Sequence, residues 1–164
     1  MSHLHYEEEQ RFSNIPWIWI ALLALAIIPT IIIAMDQSRE VDVSMLALTV
    51  ILGFVPVALI LFYARLQIKI DTQGFHYKFF PAVMKWRVIT KNEIKSYEVS
   101  DKLGIEKFEI GHKRSFLNKT ISMNITGKKM IRLELKNGHK LKIGTENPEG
   151  AERALKKLLS PDSH

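Results

Sequence analysis

Residues 78–87 of this 164-residue chain hold the one arrangement on which a binding chemistry can be argued. Lys78 precedes Phe79, Phe80, Pro81, Ala82, Val83 and Met84, and Lys85, Trp86 and Arg87 follow. Rings and aliphatic groups bracketed by cations suit the boundary layer of a membrane. There hydrocarbon lies beneath phosphate, and each cation contributes about 1 kcal/mol near an anionic surface. Lys78, Phe79, Phe80, Lys85, Trp86 and Arg87 are therefore the candidate contacts for anionic lipid headgroups or for a protein partner. The competing reading places the apolar residues in the core of a strand and the cations on its solvated face.

The remaining reactive side chains form no catalytic set. His76, His112 and His139 lack a neighbouring carboxylate pair and the i, i+4 spacing of a metal-binding helix, and His3 and His5 stand among polar residues without ligand support. Ser96, Ser100, Ser115 and Ser122 lie in no Gly-x-Ser-x-Gly turn. Thr126-Gly127-Lys128-Lys129 lacks both the leading glycine and the hydroxyl after lysine that a phosphate loop needs. Without a single cysteine there is no disulfide, thiolate metal site or thiol nucleophile. The expectation is a non-enzyme with no catalytic residues, no metal and no cofactor.

Hydropathy indicates what must position residues 78–87. Residues 17–35 and 43–64 contain no charged side chain, and each run has about the 20 residues a helix needs to cross roughly 30 Å of hydrocarbon. Both runs are apolar on all sides, where a core helix would show a polar stripe. They predict a transmembrane helical hairpin over residues 15–65, joined by an outer loop over 36–42. The segment ahead of it carries Glu7, Glu8 and Glu9 rather than a basic region, and Ala34-Met35-Asp36 is a poor cleavage site, so the first span reads as a retained anchor. No ionisable residue lies inside either run, which argues against a transporter. Pro29 and Pro56 are expected to bend their helices.

Charge sets the orientation. From Arg65 onward 21 Lys and Arg stand against 11 Asp and Glu, whereas the residues before it carry an acidic surplus. The 36–42 loop has one cation, Arg39, while Arg65, Lys69, Lys78 and Lys85 follow the second span. The positive-inside rule then puts both termini in the cytoplasm, with Trp17, Trp19 and Tyr63 at a shared interface. On a cytoplasmic domain the triplets Asn118-Lys119-Thr120 and Asn124-Ile125-Thr126 are chance glycosylation matches. The same rule accounts for the basic surplus without nucleic acid, for which no motif is present.

The organisation expected is a mobile polar tail over residues 1–14, the membrane segment, and a β-rich domain over 66–164. Leu66, Ile68 and Ile70 alternate with polar residues. The turn signal Asp71-Thr72-Gln73-Gly74 and the alternating Phe75, Tyr77 and Phe79 follow. Short strands are read at 86–89 and 94–99 around a break at Lys91-Asn92-Glu93. Residues 100–119 are barely readable: Ile105, Phe108 and Ile110 suit a strand, and Gly111-His112-Lys113-Arg114-Ser115 a loop with a basic tip. Alternation returns at Ile121, Met123 and Ile125, and again at Ile131, Leu133 and Leu135. Asn137-Gly138 then signals a hairpin into Leu141 and Ile143. A final helix is capped by Asn147 with Pro148 at its first position, and Ala151, Ala154, Leu155, Leu158 and Leu159 share one face.

Several antiparallel strands followed by one amphipathic helix resemble the pleckstrin-homology (PH) superfold. In particular, Asn124-Ile125-Thr126-Gly127, Leu133-Glu134-Leu135-Lys136-Asn137-Gly138 and Ile143-Gly144-Thr145-Glu146-Asn147-Pro148-Glu149 are similar to the closing half of bacterial membrane-anchored PH-like proteins. Ile70-Asp71 to Gly74-Phe75, with Asn92-Glu93-Ile94, resembles their opening half. The chain departs from the pattern at Leu103-Gly104-Ile105-Glu106-Lys107-Phe108, where a Gly- and Trp-rich turn is often found. The resemblance implies a mostly-β PH-like barrel or sandwich with a carboxyl-terminal amphipathic helix, at a bacterial inner membrane. The expected role is a non-enzymatic interaction module that binds a protein partner or anionic lipid; the alternative is an accessory subunit of a transporter, channel or enzyme complex.

Overall fold

The computed structural model describes residues 3–35, 42–101, 110–115 and 119–160, and the chain divides into two units, Phe12–Ala64 and Met1–Arg11 with Arg65–His164. Within the first, a 3₁₀ turn over Phe12–Asn14 leads into helix α1 (Pro16–Met35), and helix α2 spans Val43–Tyr63. The Asp42 carboxylate caps α2 by accepting from the Ser44 N–H at 2.9 Å. The start of α1 lies beside the end of α2. Trp19 meets Phe62 edge-on at 6.3 Å between ring centres, and the Phe12 N–H donates to the Ala64 carbonyl at 3.2 Å. Ile20, Leu25 and Ile32 of α1, and Met45, Leu52 and Phe62 of α2, are exposed. Among the described residues one helical stretch, Pro16–Ile33, is long and apolar enough to cross a membrane, and Val50–Tyr63 is a shorter apolar stretch. Residues 36–41 of the expected outer loop lie outside the described residues.

Among the described residues the second unit holds nine strands: β1 (Leu4–Arg11), β2 (Arg65–Asp71), β3 (Gly74–Phe80), β4 (Val83–Thr90), β5 (Ile94–Asp101), β6 (Gly111–Ser115), β7 (Thr120–Asn124), β8 (Lys129–Leu135) and β9 (Lys140–Thr145), followed by helix α3 (Pro148–Leu159). They form two sheets, in the orders β1-β2-β3-β4 and β5-β8-β9-β7-β6. The mostly-β sandwich expected is present. Its core is the set the alternation marks: Leu66, Ile68 and Ile70 of β2, Phe75 of β3, Met123 of β7, Ile131 and Leu133 of β8, and Leu141 and Ile143 of β9 are all but fully buried. From α3, Ala151, Leu155 and Leu158 join it. Asn147 caps that helix, its Oδ1 accepting from the Gly150 N–H at 2.9 Å, and Pro148 opens it. The Asn137-Gly138 turn joins β8 to β9, with Gly138 at φ 80°.

Three features depart from expectation. Residues 4–11 are no mobile tail: β1 pairs with β2 from Leu4↔Asp71 to Arg11↔Arg65. Its inward face is polar, which is why no apolar period marks it. Gln10 is 1 % exposed, and its Oε1 accepts from the N–H groups of Ile125, Thr126 and Gly127 at 3.1, 3.0 and 3.2 Å. Its Nε2 donates to the Gly144 carbonyl at 2.7 Å and to Glu8 at 2.6 Å. Glu8 also accepts from the Thr145 hydroxyl at 2.7 Å, from the Glu146 N–H at 2.9 Å and from Tyr6. Secondly, residues 111–115, read as a basic loop, are strand β6, paired with β7 at the sheet edge. An edge strand can carry charge on both faces, so it shows no alternation. Thirdly, β7 and β9 run parallel, Thr120↔Lys140 to Met123↔Ile143, a pairing no local signal announces. Residues 102–109, with Ile105 and Phe108, lie outside the described residues.

The β2–β3 turn is organised by one carboxylate. Asp71 Oδ1 accepts from the N–H groups of Gln73 and Gly74 at 2.8 and 3.1 Å and lies 2.9 Å from His76 Nε2. Burial pushes its pKa up, but the bonds from His76, Gln73 and Gly74 and the charge of His76 outweigh that and hold it below the usual aspartate value. A carboxyl depressed in the folded state contributes stability that is complete above its unfolded pKa of about 3.9 and is lost as pH falls through the folded value. Asp71→Ala is expected to cost about 1–3 kcal/mol at neutral pH. The difference from the parent chain should shrink on acidification below about pH 4, as read by exchange of the β2–β3 amides. A difference that does not change with pH would show that the carboxylate is not the stabilising group.

Candidate functional site

Strand register places the β3–β4 turn, the centre of residues 78–87, at one end of the first sheet, while Arg87, in the row of Tyr77, Ile68 and Glu8, lies midway along it. Arg11, Arg65 and Phe80 form one row across β1, β2 and β3. Arg11 precedes the helical segment and Arg65 follows it, so the β3–β4 turn at Pro81 and Ala82 lies at the end of the sheet where the chain leaves and re-enters. Pro81 and Ala82 are exposed.

The candidate residues divide between faces by the two-residue period of a strand. Phe79 points into the core at 4 % exposure, with its ring 6.0 Å from that of His112. It is therefore corrected from contact residue to core residue, because Tyr77 and Phe79 share the inward face of β3. Lys78 and Phe80 take the outward face and are half-buried. On β4, Val88 takes the outward face opposite His76 and Arg87 the inward face opposite Tyr77, and the register shifts over residues 84–86, where the Lys69 contact sets Trp86 on the outward face. Lys85, Trp86 and Arg87 are all exposed. A shallow cleft of about 340 Å³ runs along Ala82, Val83, Met84, Lys85, Trp86 and Arg87.

Electrostatically the site is open. Among the described residues no carboxylate pairs with Lys78, Lys85 or Arg87, although Lys69, Lys95, Lys129 and Arg132 each have an acidic partner. Burial raises the Tyr77 hydroxyl pKa, and the nearby charges of Arg87 and Arg114 offset part of that rise. Sequence reasoning missed Lys69, which belongs to the site. Its Nζ lies 5.3 Å from the centre of the Trp86 ring and 2.8 Å from Glu7, a cation–π contact that holds the indole over the sheet. Only the pairing of β2 with β3 and β3 with β4 brings it there.

A second cavity, of about 470 Å³, lies at the other end of β1 and is lined by Leu4, His5, Tyr6, Asn147, Gly150, Arg153, Ala154 and Lys157. Burial, Lys157 and His3 lower the His5 pKa, with Asp71 opposing, and its Nε2 has no hydrogen-bond partner among the described residues. Among the described residues no group of three or more His, Asp or Glu could hold a metal. The chain matches no protein-family model, no curated protein and no solved structure.

Proposed function

We propose that the chain is a non-enzymatic, PH-like interaction module. A two-span hairpin anchors it at a bacterial inner membrane with both termini in the cytoplasm, and its β3–β4 turn contacts anionic lipid headgroups. The observation that carries this is the row Arg11, Arg65 and Phe80. Two strands paired residue by residue lie on one side of any membrane, so the 53 residues between them cross an even number of times. The apolar exposure of both α1 and α2 favours two crossings over none. Lys78, Lys85 and Arg87, on the strands that enter and leave that turn and without an acidic partner among the described residues, are the cations that meet phosphate in this reading. Together they contribute about 3 kcal/mol, or roughly a hundredfold in partition, on an anionic surface.

Because the chain has no cysteine, Ala82→Cys carries a single polarity-sensitive dye. In nanodiscs the dye is expected to report an apolar environment with phosphatidylglycerol but not with phosphatidylcholine. The signal should fall at high salt and in a Lys78, Lys85 and Arg87→Gln triple variant. Equal signals in the two lipids sink the lipid reading. A second membrane protein that co-purifies in mild detergent and shields the dye would favour the accessory-subunit role.

A further inference from the structure

We propose that the edge of β4, left unpaired among the described residues, docks an extended protein segment in which apolar and acidic residues alternate. The inference goes beyond the lipid reading and does not rest on it.

Among the described residues, sheet order leaves β4 at an edge, and its residues from Met84 to Val88 are all exposed. Met84 is 67 %, Trp86 38 % and Val88 47 % exposed. An edge strand offers a row of unpaired N–H and C=O groups to any added strand. At the other edge of the same sheet, β1 is tied through Gln10 and Glu8 to Ile125, Thr126, Gly127, Gly144 and Glu146. No such tie from β4 is found among the described residues.

The side chains choose the occupant. Outward-facing Trp86 and Val88 are apolar and Arg87 faces the other way, opposite Tyr77. The two-residue period of a strand sets Met84 with the first pair and Lys85 with Arg87, and both cations lack an acidic partner among the described residues. An added strand places every second residue beside each set. Its complement is therefore apolar beside Met84, Trp86 and Val88, and acidic beside Lys85 and Arg87. A second copy of β4 is a poor occupant. Antiparallel pairing centred on Trp86 would set Lys85 opposite Arg87 twice, and like charges directly opposed are destabilising. The two cations thus discourage self-pairing and select an acidic partner. Main-chain bonds supply affinity, and the alternating pockets supply specificity.

The test uses the full chain in phosphatidylcholine nanodiscs, so that anionic lipid does not occupy Lys85 and Arg87. The probe is a fluorescein-labelled, amidated heptapeptide alternating Val and Glu. Saturable binding by anisotropy is expected, with slowed amide exchange in residues 84–88. A Lys85→Glu, Arg87→Glu double variant should bind about tenfold more weakly or worse. A backbone N-methylated peptide, and one with the same composition in separate Val and Glu blocks, should lose binding to a similar degree. Absence of binding overturns the proposal. So does equal binding of the N-methylated or block peptide, which would reduce the effect to charge alone. Either failure leaves the phosphatidylglycerol response of the Ala82→Cys probe standing, so the two readings fall separately.

Discussion

Gln10→Ala is expected to destabilise the β unit by about 3–6 kcal/mol, a large share of the roughly 5–15 kcal/mol that holds a domain folded. One side-chain oxygen satisfies three backbone amides, those of Ile125, Thr126 and Gly127, and the amide nitrogen satisfies the Gly144 carbonyl. At 1 % exposure the residue leaves water no route to replace these bonds. Gln10→Met separates hydrogen bonding from volume. It fills the space but offers neither acceptor nor donor, and it should fail as Ala does. Thermal unfolding of the detergent-solubilised chain, with exchange at Ile125, Thr126 and Gly127, reads the effect. Parent-like stability in the Met variant would show that packing, not the amide group, matters at this position.

The second large effect concerns how the β unit is built from two pieces of chain. A protein beginning at Leu66 lacks β1. It should therefore expose the edge of β2 and strand the partners of Tyr6, Glu8 and Gln10, and it is expected not to fold. The opposite construction should succeed. Arg11 and Arg65 are cross-strand partners, so an Asn-Gly turn in place of Phe12–Ala64 makes β1 and β2 an ordinary hairpin. The resulting chain keeps both sheets and α3 and loses the exposed apolar helices. Dispersed amide resonances from the turn-joined chain, beside collapsed ones from the chain starting at Leu66, are the expected pair of spectra. A folded Leu66 chain would show that β1 is an accessory strand rather than part of the fold.

Much of this architecture is legible locally. Uncharged apolar runs became α1 and α2, because a stretch without polar side chains offers its backbone no better partner than itself. Alternating Leu66, Ile68 and Ile70, and Ile131, Leu133 and Leu135, marked strands because their buried faces are apolar. Asn137-Gly138 marked a turn through its tolerance of positive φ, and Asn147-Pro148 marked a helix start.

The tertiary structure decided what periodicity does not encode. Strand β1 turns Tyr6, Glu8 and Gln10 inward, so the burial that defines it is polar, and its partners lie in β2 and in the 124–127 and 144–147 segments. The site itself was half visible. Residue types nominated 78–87, but the faces they take depend on register, which turned Phe79 into the core and set Lys69 against Trp86. Composition and spacing thus determined the helices, most strands and the basic aromatic segment, since each depends on neighbours within a few residues. Only long-range pairing decided that the chain before the apolar helices completes the sheet after them, because hydrogen bonds between residues more than fifty apart leave no local periodic signal.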